Sequence, residues 1–203
     1  MTARPFDTLR SPGEEPRGTA VLLGGGAPDA DLEHLTEHLL LSGFTVVVVP
    51  DVSADPVAAR STALRTVQDT TTERPHVLIG SGVGATLAAD IAASRPVGLA
   101  AVVLANIVTG ASRDVAIPAG VTLPKARDIL HPVLFVHGDT DPVTDIADAA
   151  NWATQLPFGA VRIVQRGGHG VLGGDSKRSV AAAIVLFLER QRAGAPVLSD
   201  GFA

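Results

Sequence analysis

Two side chains in this sequence stand where acid–base chemistry is readily arranged: His169, in Arg166-Gly167-Gly168-His169-Gly170, and Asp141, in Gly138-Asp139-Thr140-Asp141-Pro142. Each follows a β-branched run and lies in a glycine-rich turn, the kind of segment that presents side chains from a rigid scaffold. A histidine whose Nδ1–H is held by a carboxylate is fixed in one tautomer and works as a general base near neutral pH. A third turn, Gly80-Ser81-Gly82-Val83-Gly84-Ala85, follows the run His76 to Ile79 and reads as a strand bending sharply into a helix. In the G-x-S-x-G form of such a bend the central residue carries a nucleophile, and its neighbours two before and two after must be small. Gly80 and Gly84 meet that condition around Gly82, which has no side chain. Centring the turn on Ser81 would place Ile79 and Val83 at the crowded positions, where a branched Cβ collides with backbone. Ser81 therefore precedes the tip, Gly82 is the tip, and no seryl intermediate is expected there.

The elements that must position these turns follow from short β-branched runs alternating with amphipathic stretches, the pattern of a parallel sheet covered on both faces. Strands are expected at Thr19 to Leu23, Thr45 to Val49, His76 to Ile79, Leu99 to Leu104, Val133 to Val136 and Val161 to Val164. Helices are expected near Ala30 to Leu41, Pro56 to Thr70, Gly84 to Ser94, Thr144 to Gln155 and Asp175 to Arg192. The fold class is α/β, a three-layer doubly wound and mostly parallel sheet of about six strands. Residues 1–17 read as an N-terminal extension, 18–192 as the domain and 193–203 as a tail. Within the domain, Thr109 to Leu130 contains Gly110, Pro118, Gly120 and Pro124 and no sustained helical period, so it reads as a candidate lid or substrate-facing segment.

One more glycine turn completes an ordered set: Val21-Leu22-Leu23-Gly24-Gly25-Gly26-Ala27 ends an early strand, ahead of the Gly82 bend, the Asp141 turn and the His169 turn. Four such pieces in this order resemble the α/β-hydrolase superfamily, in which nucleophile, acid and histidine follow one another along the chain. The resemblance spans about Thr19 to Arg192 and implies a small single-domain member with no large cap and no serine nucleophile. It implies that Asp141, placed by the G-x-x-D pattern from Gly138, is the acid and that His169 is the histidine. It further implies an anion hole from the backbone N–H groups of Val83 and Gly26, with Ser81 and Gly82 at the elbow. Antiparallel strands that often begin this fold have no room in the short N-terminus. The activity implied is hydrolysis by activated water, or proton abstraction of the lyase or cyclase type. The substrate would be a small ester, lactone, thioester or carbonyl compound, and no cofactor is needed. A non-catalytic member that binds a ligand or partner is the alternative.

The same sequence also carries patterns of other classes. Gly80-Ser81-Gly82-Val83-Gly84-Ala85 also satisfies G-x-G-x-x-G/A, the dinucleotide fingerprint, but the acidic residue expected about 20 positions on is missing, since the next strand runs out towards Asn106. His34-Leu35-Thr36-Glu37-His38 matches H-x-x-E-H, yet it lacks a third ligand and reads as a solvated helix face, so no metal is expected. His137 reads as structural. A net charge of −5 and an aromatic content of 3% disfavour a nucleic-acid surface. Cysteine is absent, which excludes thiolate chemistry. Neither a signal-type apolar run nor a membrane-length one is found, so a cytoplasmic protein acting on a small molecule is expected. The alanine-rich last helix, Val180 to Leu188, packs the core or else forms a homodimer face.

Overall fold

The computed structural model describes residues 8–9, 16–25 and 29–194. Six strands are parallel: β2 (Thr19–Leu23), β3 (Thr45–Val48), β4 (His76–Ser81), β5 (Leu99–Ala105), β6 (Val133–Gly138) and β7 (Gly159–Val164). A seventh, β1 (Thr8–Leu9), pairs antiparallel with β3. This corrects the expectation that the N-terminus has no room for an antiparallel strand: two residues suffice, because Thr8 and Leu9 need only the free edge of β3, opposite Val47 and Val46. The sheet order is β1-β3-β2-β4-β5-β6-β7. The chain thus steps one way from β2 to β3 and then returns to build β4 onward on the other side of β2. In open α/β sheets the crevice at such a reversal, outside the carboxyl ends of the strands, is where sites form.

Both faces of the sheet are covered, which is why the strands read as unbroken apolar runs. Helices α2 (Pro56–Gln68), α3 (Val83–Ala93) and α4 (Ile146–Ala153) bury one face around Leu23, Leu78, Leu104 and Phe135. Helices α1 (Asp29–Leu41) and α5 (Lys177–Ala193) pack together on the other, against Leu22, Ile79, Val103 and Val136. Two helix starts are set by side-chain caps: Asp55 accepts from the Ala58 N–H at 2.9 Å and Asp145 from the Ala147 N–H at 2.8 Å. The Asp145 cap explains why α4 begins at Ile146 and not at Thr144. At the sheet edge, β7 begins at Gly159, two residues before the expected start. Its outer positions Val161 and Ile163 stay partly exposed, so the apolar run there was a weak guide.

The segment 109–130 is fastened along its second half. Asp90 of α3 pairs with Arg60 of α2 and accepts from the Thr122 N–H at 2.9 Å, and Arg60 also reaches Gly120 O at 3.2 Å. Trp152 Nε1 donates to Pro124 O at 2.9 Å, and Val121, Ala126 and Ile129 are buried. A single 3₁₀ turn, Ala126–Asp128, leads back towards β6. The first half, from Thr109 to Ile117, borders a cavity of about 480 Å³.

Helix α3 meets the sheet backbone to backbone. A Cβ on Gly84 would lie 1.9 Å from Leu23 O, and one on Gly80 would lie 2.4 Å from Gly84 O. Neither contact can be relieved by rotating a side chain, so α3 or β2 would have to move. Gly84→Ala is expected to cost about 3 kcal/mol or more of stability in urea unfolding. Gly110→Ala, where an added Cβ meets nothing within 4 Å, is expected to stay within about 0.5 kcal/mol of the parent. Equal midpoints and slopes for the two variants would contradict this packing argument.

Candidate active site

The C-terminal ends of β4, β5 and β6 and the turn after β7 converge on one small region. At the end of β4 the chain passes through Gly82, with φ 59° and ψ −124°, directly into α3. That φ lies where L side chains are strained, so glycine adopts it at the least cost. The turn is held by the Gly82 N–H donating to Ala105 O at 3.0 Å and by the Ala85 N–H donating back to Gly82 O at 3.0 Å. A Cβ on Gly82 would lie 2.8 Å from Gly25 O and 3.4 Å from His169 Nε2. The tip therefore faces two acceptors, the Gly25 carbonyl and the imidazole. Ser81 is buried and continues the alternation of Val77 and Ile79, which face α1 and α5, so it points away from the tip. Val83 opens α3, and its N–H is one of the first-turn donors with no partner inside the helix. Gly26 lies outside the described residues.

Asp141 stands in the turn after β6 with its side chain fully buried. Its carboxylate accepts from His169 Nδ1 at 2.9 Å and 3.1 Å, from Asn106 Nδ2 at 2.7 Å, and from the backbone N–H groups of Val143 at 2.8 Å and Thr144 at 3.2 Å. Burial alone would raise its pKa; the hydrogen bonds from His169, Asn106 and Val143 overcome that and hold it at about 2. His169 is only partly exposed, at 17% of its side chain. With its Nδ1 on Asp141, the ring turns Nε2 to the space above Gly82. The structure thus brings Asp141, His169, Gly82 and the start of α3 together, and leaves Ser81 out.

Asn106 was not singled out from the sequence as a site residue. It directly follows β5, has φ 48° and is wholly buried. The usable signal was an asparagine, the non-glycine residue most tolerant of this backbone region, directly after a buried strand. His137 stacks on Phe135 and its Nε2–H donates to Thr144 O at 3.0 Å, with Asp141 Oδ2 at 3.4 Å. Burial lowers its pKa, which favours the uncharged ring at this supporting position. His34 and His38 lie together on α1 at a ring separation of 4.2 Å, with His38 Nδ1 bonding His34 O. Among the described residues no group of three His, Asp or Glu side chains is placed to hold a metal, and no helix is long and apolar enough to cross a membrane. Of the fingerprint glycines, Gly80 is accounted for by packing, since a Cβ there would lie 2.4 Å from Gly84 O.

No curated protein sequence matches the chain. The family model described as TAP-like protein matches residues 105–197, the stretch that carries Asn106, Asp141 and His169. Among solved structures, the esterase domain of a Rhodothermus marinus protein superposes with a TM-score of 0.71 at 13% identity, covering 91% of each chain. A monoacylglycerol lipase of Paleococcus ferrophilus gives 0.73 at 15% identity, covering 93% of this chain and 100% of its own. A proline iminopeptidase of Mycobacterium smegmatis gives 0.72 at 14% identity, covering 93% and 95%. The elbow turn, the Asp141 and His169 turns in their order, and this architecture agree: the chain has the α/β-hydrolase fold in a small form without a large cap, with Gly82 at the tip of its strand-to-helix turn.

Proposed function

We propose that the protein hydrolyses a small carboxylic ester, lactone or thioester by general-base attack of water, with His169 as the base, Asp141 as its orienting carboxylate and no covalent intermediate. The observation that carries this reading is the placement of one imidazole. Its Nδ1 is 2.9 Å from Asp141 Oδ2 and its Nε2 lies 3.4 Å from where a Gly82 side chain would begin. Two acceptors, Nε2 and Gly25 O, flank the tip, so the group best suited to rest over Gly82 is a donor of two hydrogens, and water is the simplest. A carbonyl or carboxylate oxygen would be repelled from the same place.

The reaction then balances without a cofactor. Nε2 removes a proton from the water as its oxygen bonds to the acyl carbon, and the carbonyl π pair moves onto oxygen. The Val83 N–H, at the positive end of α3, is the donor placed for that developing charge. Collapse of the tetrahedral species expels the alkoxide or thiolate, which takes the proton back from Nε2. A buried Asp141 carboxylate stabilises the imidazolium formed in between and keeps Nε2 as the base. The esterase and lipase among the structural neighbours support an ester-type substrate for this chain.

A second reading, binding without turnover, is favoured by one feature: Gly25 O approaches the tip to within 2.8 Å of a Cβ position, leaving little room beside it for a bulky reacting group. A panel of activated short-chain esters and thioesters separates the two. Under the proposed function, His169→Ala lowers kcat/KM about 100-fold or more, and mass spectrometry of the parent during turnover finds no acyl adduct. Unchanged hydrolysis in the His169→Ala protein, or an acyl adduct on the parent, would overturn it. Saturable binding of an acyl ligand with no turnover across the panel would decide for the second reading.

The Asp141 carboxylate also predicts an acid dependence of stability. Its pKa is depressed from 3.8 to about 2, so folding is favoured above the unfolded value, and that advantage fades as pH falls from about 4 towards 2. The amount is about 2 kcal/mol for this single buried group. Urea unfolding at steps between pH 6 and pH 2 is expected to show Asp141→Asn losing less stability than the parent over that interval. Parallel losses in the two proteins would rule out this assignment.

A further inference from the structure

We infer that Asn106 is the positioning residue of the site: its side-chain amide fixes the histidine turn against the acid, so that His169 meets Asp141 in the geometry a general base requires. This inference rests on the proposed role of His169 and extends it to a residue outside the histidine–carboxylate pair. The amide uses both of its ends. Nδ2 donates to Asp141 Oδ2 at 2.7 Å and to Gly168 O at 3.1 Å, while Oδ1 accepts from the Val171 N–H at 3.4 Å. The orientation is unambiguous, because two acceptors face the NH₂ group and an N–H faces the oxygen. Gly168 and Val171 bracket His169 in the chain, so one buried amide ties down both sides of the histidine turn and also its carboxylate partner.

The backbone of Asn106 is part of the same device. Its N–H donates to Val136 O at 2.9 Å, and its φ of 48° turns the side chain off the end of β5 towards the acid and histidine turns. The preceding residue, Ala105, accepts from the Gly82 N–H at 3.0 Å. Two consecutive residues at the end of one central strand therefore connect all three parts of the site: tip, acid and histidine. His137 also approaches Asp141, but its Nε2–H is engaged by Thr144 O and its Nδ1 has no hydrogen-bond partner, so it does not hold the histidine turn. Asn106 is the residue that does both.

The test uses the low-field proton resonance of the His169 Nδ1–H, assigned by its loss in His169→Ala. Asn106→Gly removes the amide and accepts the positive φ freely, so the strand end and its bond to Val136 are retained. Asn106→Asp keeps the shape but has at most one proton to donate, so it cannot serve both Asp141 Oδ2 and Gly168 O and the clasp is lost in either protonation state. With cooperative unfolding preserved, the expected result at neutral pH is loss of the Nδ1–H resonance to solvent exchange in both variants. Ester turnover should fall about 100-fold in kcat with KM little changed, the cost expected of a misplaced base. A sharp, unshifted Nδ1–H resonance in Asn106→Gly overturns the inference, and if that variant fails to fold, the same resonance persisting in Asn106→Asp does so. The resonance needs no substrate. A protein in which it vanishes while His169→Ala still turns over ester would keep Asn106 as the clasp of the histidine turn and reject His169 as the base.

Discussion

A carboxylate with no solvent contact has to be satisfied by the protein around it, and at the top of this sheet that carboxylate is Asp141. Removing such a charge from water costs several kcal/mol, which is recovered only where donors with good geometry converge. Here they come from three separate parts of the chain: the end of β5 through Asn106, the turn after β6 through the Val143 and Thr144 N–H groups, and the turn after β7 through His169. Two of these parts include non-glycine residues at positive φ, Asn106 and Arg166, a local cost accepted for the contacts that result. The pair that orients the histidine is thus also the interaction that draws the loops at the strand ends together. Stability and the geometry of the site are coupled through one oxygen pair.

The opposite requirement holds beneath the tip, where no side chain is tolerated. Leu23, Gly80 and Gly84 bring β2, β4 and α3 into direct backbone contact, and the register of the turn is set by those contacts. Position 82 is left as the one place in the turn whose Cβ direction leads towards His169. The backbone approach and the buried carboxylate act on different strands, yet they meet at Ala105 and Asn106, which serve the tip and the acid respectively. This is a physical reason for the site to sit beside β4 and β5, next to the reversal of strand order, where a crevice opens between loops leaving in opposite directions.

What could be read from residues alone follows the same division. The six parallel strands were legible because β strands buried on both faces are continuous apolar runs, and β2 was placed to the residue. The register of the Gly82 turn was legible because it is a local steric rule, and the meeting of Asp141 with His169 because each stands in a turn at a strand end. Asn106 was not, since its partners are 35 and 62 to 65 residues away and only the folded chain puts them within reach. The fastening of segment 109–130 was hidden for the same reason: Arg60 and Asp90 lie on different helices, and nothing in either helix's own pattern marks them as a pair gripping a loop. The two-residue strand β1 is too short to carry any period, and β7, an edge strand with exposed alternate residues, reads weakly at its start.

Glycine at the tip carries one more consequence. In an elbow that bears a nucleophile, a side chain must be held at positive φ, and the strain is borne by the surrounding packing. Here the backbone keeps the same kind of bend, φ 59° and ψ −124°, although glycine could relax out of it at little cost. The bend must therefore be imposed from outside, by Gly80 and Gly84 against their backbone neighbours and by the Gly82 N–H on Ala105 O. A turn held in that way does not depend on the residue at its apex. The bend thus keeps His169, Asp141 and the start of α3 in place around a tip that has no side chain of its own. With Gly25 O and His169 Nε2 both beside that tip, a hydrogen-bond donor is the kind of group the geometry accepts there best.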